Sequence, residues 1–291
     1  MKIRTSENPH AFQTRLFNRL HACSLQGLLM NDRHEFTTAV EAVEYKAGDD
    51  TSIVPFTRSQ LYARYVLARE AGVPFYVLCY IDGLYRIINV TEENGRVVLR
   101  VESWLNEAEF IQWWGERKQT VQSKQLNNGG EARLGGTVFD TVLRRHGYEW
   151  GGNIDGFILS GDNQHVACII DNISVSRKDL NDEPSHYFHS SNPKHGPRYD
   201  GWYAAVKLAG QIQVPHLLFT IDKRDETKEH IGLTAIERLS PEGIFYVDGL
   251  KPNENVVEGM EAIARAVNGK IRTAMPPVLE EKTDEKYSRN T

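Results

Sequence analysis

Cysteine is scarce in this chain. Cys23, Cys79 and Cys168 stand far apart, odd in number and among apolar neighbours. That spacing excludes a disulfide framework, and no CxxC or Cys/His zinc pattern is present, so the three read as buried reduced thiols. Long apolar runs are missing too. None approaches the roughly 20 residues that a membrane-spanning helix needs. The first residues, Met1-Lys-Ile-Arg-Thr-Ser-Glu, are polar and lack the apolar centre of a secretory signal, which makes the cytoplasm the expected compartment. Excess positive charge is also absent. A formal net charge of −5 does not announce a nucleic-acid binder, although a basic groove can lie within an acidic protein.

What the chain does have is an internal repeat. Tyr62-Ala63-x-x-x-Leu67-Ala68-x-x-x-x-Val73-Pro74 returns as Tyr203-Ala204-x-x-x-Leu208-Ala209-x-x-x-x-Val214-Pro215, 141 positions later, with six of thirteen residues identical and no gap. Average residue usage predicts about one identity in such a window. Each copy continues into an apolar strand, Phe75–Ile81 and His216–Ile221, and each has an acidic strand upstream. Hydrophobic content of 40% and charged content of 25% are those of a globular protein, and 291 residues suit two domains.

The expected order in the first copy is a helix over 10–22, strands over 25–30 and 38–46, and the repeated helix opened by Thr57 or Ser59 and ended at Gly72. Strands at 75–81, 84–90 and 97–102 and a helix over 106–117 complete it. Residues 119–136, rich in Gln, Asn and Gly, are the expected linker. The second copy opens with a helix over 137–146, a hairpin of 154–159 and 165–175, and a polar insertion at 177–199. The repeated helix, the strand 216–221 and a last helix over 256–267 follow. The domains are thus expected at 1–118 and 137–274, with a disordered tail at 275–291.

On the strand 38–46, alternation predicts that Val40, Ala42, Glu44 and Lys46 share a face. A carboxylate and an ammonium two positions apart suit a divalent metal and a cation beside an attacking water. In this setting the chain resembles the PD-(D/E)xK nuclease superfamily, which includes restriction enzymes and Holliday-junction-resolvase-like proteins. The residues that carry the resemblance are Val43-Glu44-Tyr45-Lys46 in the first copy. In the second they are Asp155, in Gly-Gly-Asn-Ile-Asp-Gly, and Asp171, in Ala-Cys-Ile-Ile-Asp. It covers roughly 10–117 and 134–225 by pattern rather than by close identity.

The resemblance implies two tandem restriction-endonuclease-like α/β domains, each a mixed sheet flanked by helices. It also implies hydrolysis of DNA phosphodiester bonds with Mg²⁺ or Mn²⁺. Glu44, Asp155 and Asp171 would be the metal ligands and Lys46 the water-positioning cation. Gln26 stands where the family has an aspartate, with Asp32 as an alternative carboxylate. Ile173 stands where the second copy should have its lysine, so that amine would come from Lys207, Arg177 or Lys178. Gln60 matches a polar residue that resolvase-like members place near the site. Arg177, Lys178 and Lys194 are the expected nucleic-acid contacts, and a homodimer is a further expectation. The alternative is a non-catalytic nucleic-acid-binding or assembly protein built from two degenerate copies.

Overall fold

The computed structural model describes residues 11–119, 136–175, 199–222, 229–249 and 255–280. The chain divides into two compact units between Ala167 and Cys168. Both are mixed α/β. None of the described helices is long and apolar enough to cross a membrane.

The first unit begins with α1 (Ala11–Leu20), β1 (Cys23–Met30) and β2 (Phe36–Glu44). After α2 (Arg58–Glu70) come β3 (Phe75–Ile81), β4 (Leu84–Glu93), β5 (Arg96–Leu105) and α3 (Glu107–Lys118). It closes with α4 (Val138–Arg145) and β6 (Gly152–Leu159). Its sheet runs β6-β1-β2-β3-β4-β5, with β2 and β3 parallel and every other neighbouring pair antiparallel. Residues 120–135 of the expected linker lie outside the described residues.

The second unit holds most of β7 (Val166–Val175), then α5 (Tyr199–Gln211), β8 (His216–Asp222), β9 (His230–Ser240) and β10 (Gly243–Tyr246). A short 3-10 turn (Val247–Gly249), β11 (Val256–Glu258), α6 (Met260–Thr273) and β12 (Val278–Leu279) follow. Here β7 and β8 are parallel, β8 and β9 antiparallel, and β10, β11 and β12 all pair with β9. Two expectations differ from this. The segment 256–267 opens as strand β11 and turns helical only after Gly259, whose φ of 85° ends the extended run. The first residues of the expected disordered tail instead form β12 on β9, and 281–291 lie outside the described residues.

The repeated residues have the same structural job in each unit. In α2 the backbone N–H of Val73 closes the helix on Ala68 O at 3.0 Å, and the carbonyl of Pro74 accepts from Ala39 to start the parallel ladder at 2.9 Å. In α5 the N–H of Val214 closes on Ala209 O at 3.0 Å, and Pro215 accepts from Ile169 at 3.0 Å. Leu67, Ala68, Leu208 and Ala209 are all fully buried. Alanine at that position lets the helix lie close to the sheet. The left-handed turn after the helix is taken by Gly72 (φ 75°) in the first copy and by Gln213 (φ 60°) at the same place in the second. Glycine has no Cβ to strain there, whereas glutamine carries a modest cost.

An apolar cluster of the first unit lies on the sheet face that bears Val40, Tyr76 and Leu78. It is aromatic. Tyr85 stacks on Phe110 at 4.2 Å, and Trp114 meets Trp150 at 5.0 Å. Phe139 of α4 packs against both Tyr85 and Trp150. Trp113 and Trp114 are therefore core residues, as their place on an amphipathic helix suggests.

Candidate functional site

The expected acid-and-amine pair lies at the carboxyl end of β2. Strand β2 spans Phe36–Glu44, two residues earlier than the expected 38–46, because the chain turns at Lys46, whose backbone N–H donates to Asp49 Oδ2 at 2.8 Å. Alternation along the strand thus reaches Glu44 and stops short of Lys46. Both side chains are exposed. Glu44 is in register with Tyr80 on the aromatic face, and its Oε2 lies 3.5 Å from the Val138 N–H in the first turn of α4. That is a long contact, aided by the positive end of the helix.

Gln26 does not join Glu44. It sits where β1 begins to diverge from β2, and its side-chain Oε1 accepts from the Ala42 N–H at 2.6 Å, standing in for a ladder bond. Its carbonyl accepts from Trp150 Nε1 at 2.8 Å, and its own N–H donates to Glu41 Oε1 at 3.1 Å. Glu41 is three positions before Glu44 on an unbroken ladder and so projects from the other face of the sheet.

Glu41 is the residue that sequence reasoning missed. It is 1% exposed and is met at 2.7 Å by Arg64 Nε, from an arginine 6% exposed on the buried stripe of α2. Arg64 also donates to the Gln60 carbonyl at 3.1 Å and lies 4.9 Å above the Phe56 ring. Burial raises the Glu41 pKa, which Arg64 and the Gln26 N–H pull back down. Burial likewise raises that of nearby Cys23, where Arg64 acts to lower it and Glu41 to raise it. Two signals were available. Alternation puts Glu41 opposite to Glu44 on a strand buried on both faces, and Arg64 is the basic residue among Leu61, Ala63 and Leu67.

The parallel ladders settle which carboxylates correspond. Ala39 pairs with Phe75 and Glu41 with Val77; Ile169 pairs with His216 and Asp171 with Leu218. Phe75 and His216 are 141 positions apart, as in the repeat. Asp171 therefore corresponds to Glu41, and Ile173 to Val43. The expected match of Asp171 with Glu44, and of Ile173 with Lys46, differs from this register by three residues.

Asp171, too, is held by a basic side chain. Nε2 of His216, a fully buried histidine on β8, lies 3.1 Å from Asp171 Oδ2. A carboxylate only accepts, so Nε2 carries the proton. Lys207 on α5 lies 5.5 Å from the Tyr203 ring centre, with its Nζ 3.5 Å from the Tyr203 hydroxyl. Asp155 Oδ1 accepts from Asn153 Nδ2 at 2.6 Å. Gln60 is the third residue of a capping box: Oγ of Thr57 accepts its N–H at 3.2 Å, and its Oε1 accepts the Thr57 N–H at 3.0 Å.

Arg177, Lys178 and Lys194 lie outside the described residues. Among the described residues, no group of three or more His, Cys, Asp or Glu side chains is placed to hold a metal ion. As to fit, Glu41 suits a metal poorly because a guanidinium already supplies its counter-charge. Glu44 suits Mg²⁺ as a single oxygen ligand, to be completed by water and substrate phosphate. Compared with known proteins, the chain matches no family model, no curated protein and no solved structure.

Proposed function

We propose that the chain binds nucleic acid without cleaving it, through two copies of a nuclease-like core whose acidic positions now hold the fold together. One observation carries this reading. The carboxylates that correspond in the two copies, Glu41 and Asp171, each meet a basic side chain of their own unit, at 2.7 and 3.1 Å. In the first copy the guanidinium of Arg64 takes the place a metal cation would take beside a catalytic carboxylate. Neither copy has a lysine two positions on, where Val43 and Ile173 stand. The resemblance to PD-(D/E)xK nucleases supplies DNA as the expected ligand.

A second reading is favoured by the exposed Glu44 and Lys46 at the carboxyl end of the parallel pair β2 and β3, an edge where open α/β sheets bind ligands. In it, Glu44 would hold Mg²⁺ or Mn²⁺, which supplies charge neutralisation and an activated water when bound, and Lys46 would face the phosphate. Incubation of plasmid DNA with the purified chain, with and without Mg²⁺ or Mn²⁺, separates the two. Retarded but intact DNA at low salt, weakening as salt rises, supports the first reading. Metal-dependent nicking that Glu44→Ala and Lys46→Ala abolish would replace it with the second. No retardation at any salt concentration would sink both.

A further inference from the structure

Strand β5 forms one end of the first unit's sheet. Among the described residues it pairs with β4 and with no other strand, so its outer row of N–H and C=O groups is open. It is ten residues long. It presents a ribbon of exposed apolar side chains, Leu99 at 40%, Val101 at 54% and Trp104 at 49%, and an open apolar edge is a template for pairing with another chain. All three share a face, since they pair with Val90, Ile88 and Arg86 on alternate positions of β4. A bulge makes this possible, because Ile87 pairs with Ser103 but Ile88 with Val101, leaving Glu102 as the extra residue. Glu102 lies on the other face with Arg100: its Oε1 accepts from Asn89 Nδ2 at 2.8 Å, and Asn89 pairs with Arg100.

We infer that β5 is the seat of a second copy of this chain, joined as an antiparallel strand about a two-fold axis through Val101. The order of side chains is self-complementary about that residue and about no flanking one. With Val101 opposite itself, Arg100 faces Glu102 of the second copy, and the reverse pair forms by symmetry. The extra residue in the bulge then brings Leu99 opposite Trp104 of the second copy. One face of the join is apolar and the other carries two ion pairs of opposite sign. Shifting the axis to Arg100 or Glu102 would place like charges opposite each other, which destabilises a strand pair. Arg100 and Glu102 now rest on Glu93 and Asn89, both on the rim and able to share their partners. A join of two single strands buries little area, which suits a weak dimer and not an obligate unit.

Sedimentation equilibrium of the full chain at roughly 10 to 200 μM gives the test, that range bracketing a weak association. The wild type is expected to approach twice its monomer mass at the upper end. Arg100→Glu and Glu102→Arg each place like charges opposite and are expected to remain monomers, while the double variant R100E/E102R regains the dimer. Circular dichroism confirms that each single variant is folded. A wild type that stays monomeric, or a double variant no better than the singles, overturns the inference. Neither result bears on DNA binding, which is measured separately.

Discussion

Removing the Arg64 guanidinium is the sharpest test of the buried pair beneath α2. Arg64→Met keeps most of the side-chain volume but leaves Glu41, 1% exposed, with only the Gln26 N–H as a partner. Stripping one member from a buried ion pair costs about 3–5 kcal/mol. The loss should depend on pH, and its sign follows from the direction of the Glu41 shift. Burial already raises that pKa above its ordinary value, and Arg64 is the largest influence holding it down. Without Arg64 it rises further, so the folded variant holds a proton that the unfolded chain releases. A group of that kind favours the fold fully below its unfolded pKa, near 4.5, and loses the contribution as pH rises through the folded value. Each unit of added elevation is worth about 1.4 kcal/mol. R64M should therefore lie closest to wild type near pH 5 and fall furthest behind it near pH 8. Urea unfolding followed by tryptophan fluorescence measures this, since Trp113, Trp114 and Trp150 all sit in the first unit's core. The difference from wild type at each pH is the quantity to compare. Adding Glu41→Gln to R64M should recover much of the loss at pH 8 and little at pH 5. A deficit equal at both values, or smaller than about 1 kcal/mol, would refute the uncompensated-charge argument.

Two further outcomes follow from the same geometry. Gln60→Ala should cost about 1 kcal/mol of stability by opening the capping box of α2. It should leave DNA retardation unchanged, and a selective loss of binding would instead put Gln60 in the ligand site. Gly27→Ala should destabilise the first unit by about 1–3 kcal/mol, since its added Cβ would lie 2.6 Å from Val40 Cγ2 and 2.8 Å from Trp150 Nε1. A melting temperature equal to that of wild type would show that β1 and Trp150 are not packed as described.

Much of the fold was legible because its signals are local. Helix α2 is announced by Thr57 and Gln60 at one end and Gly72-Val73-Pro74 at the other, and the same closing pattern around Val214-Pro215 locates α5. The candidate site was less legible. Glu44 and Lys46 attract notice as a spaced pair, yet the turn at Lys46 depends on a bond to Asp49 that spacing does not reveal. Glu41 looks like any acid on a strand until Arg64, 23 positions away, is seen to reach it.

What the amino-acid order indicated by itself was the repeated helix-to-strand segment and most elements of the first unit, since capping, alternation and turn residues act over a few neighbouring positions; β9 to β11 were not among the expected elements. What tertiary structure decided was register. Only the ladders beside β3 and β8 show that Asp171 answers to Glu41, because register is set by backbone bonds and face burial against neighbouring strands. Pairing of β6 with β1, more than a hundred residues apart in the chain, likewise leaves no local trace. Such contacts are chosen by burial and hydrogen bonding between distant segments, which no short window of residues contains.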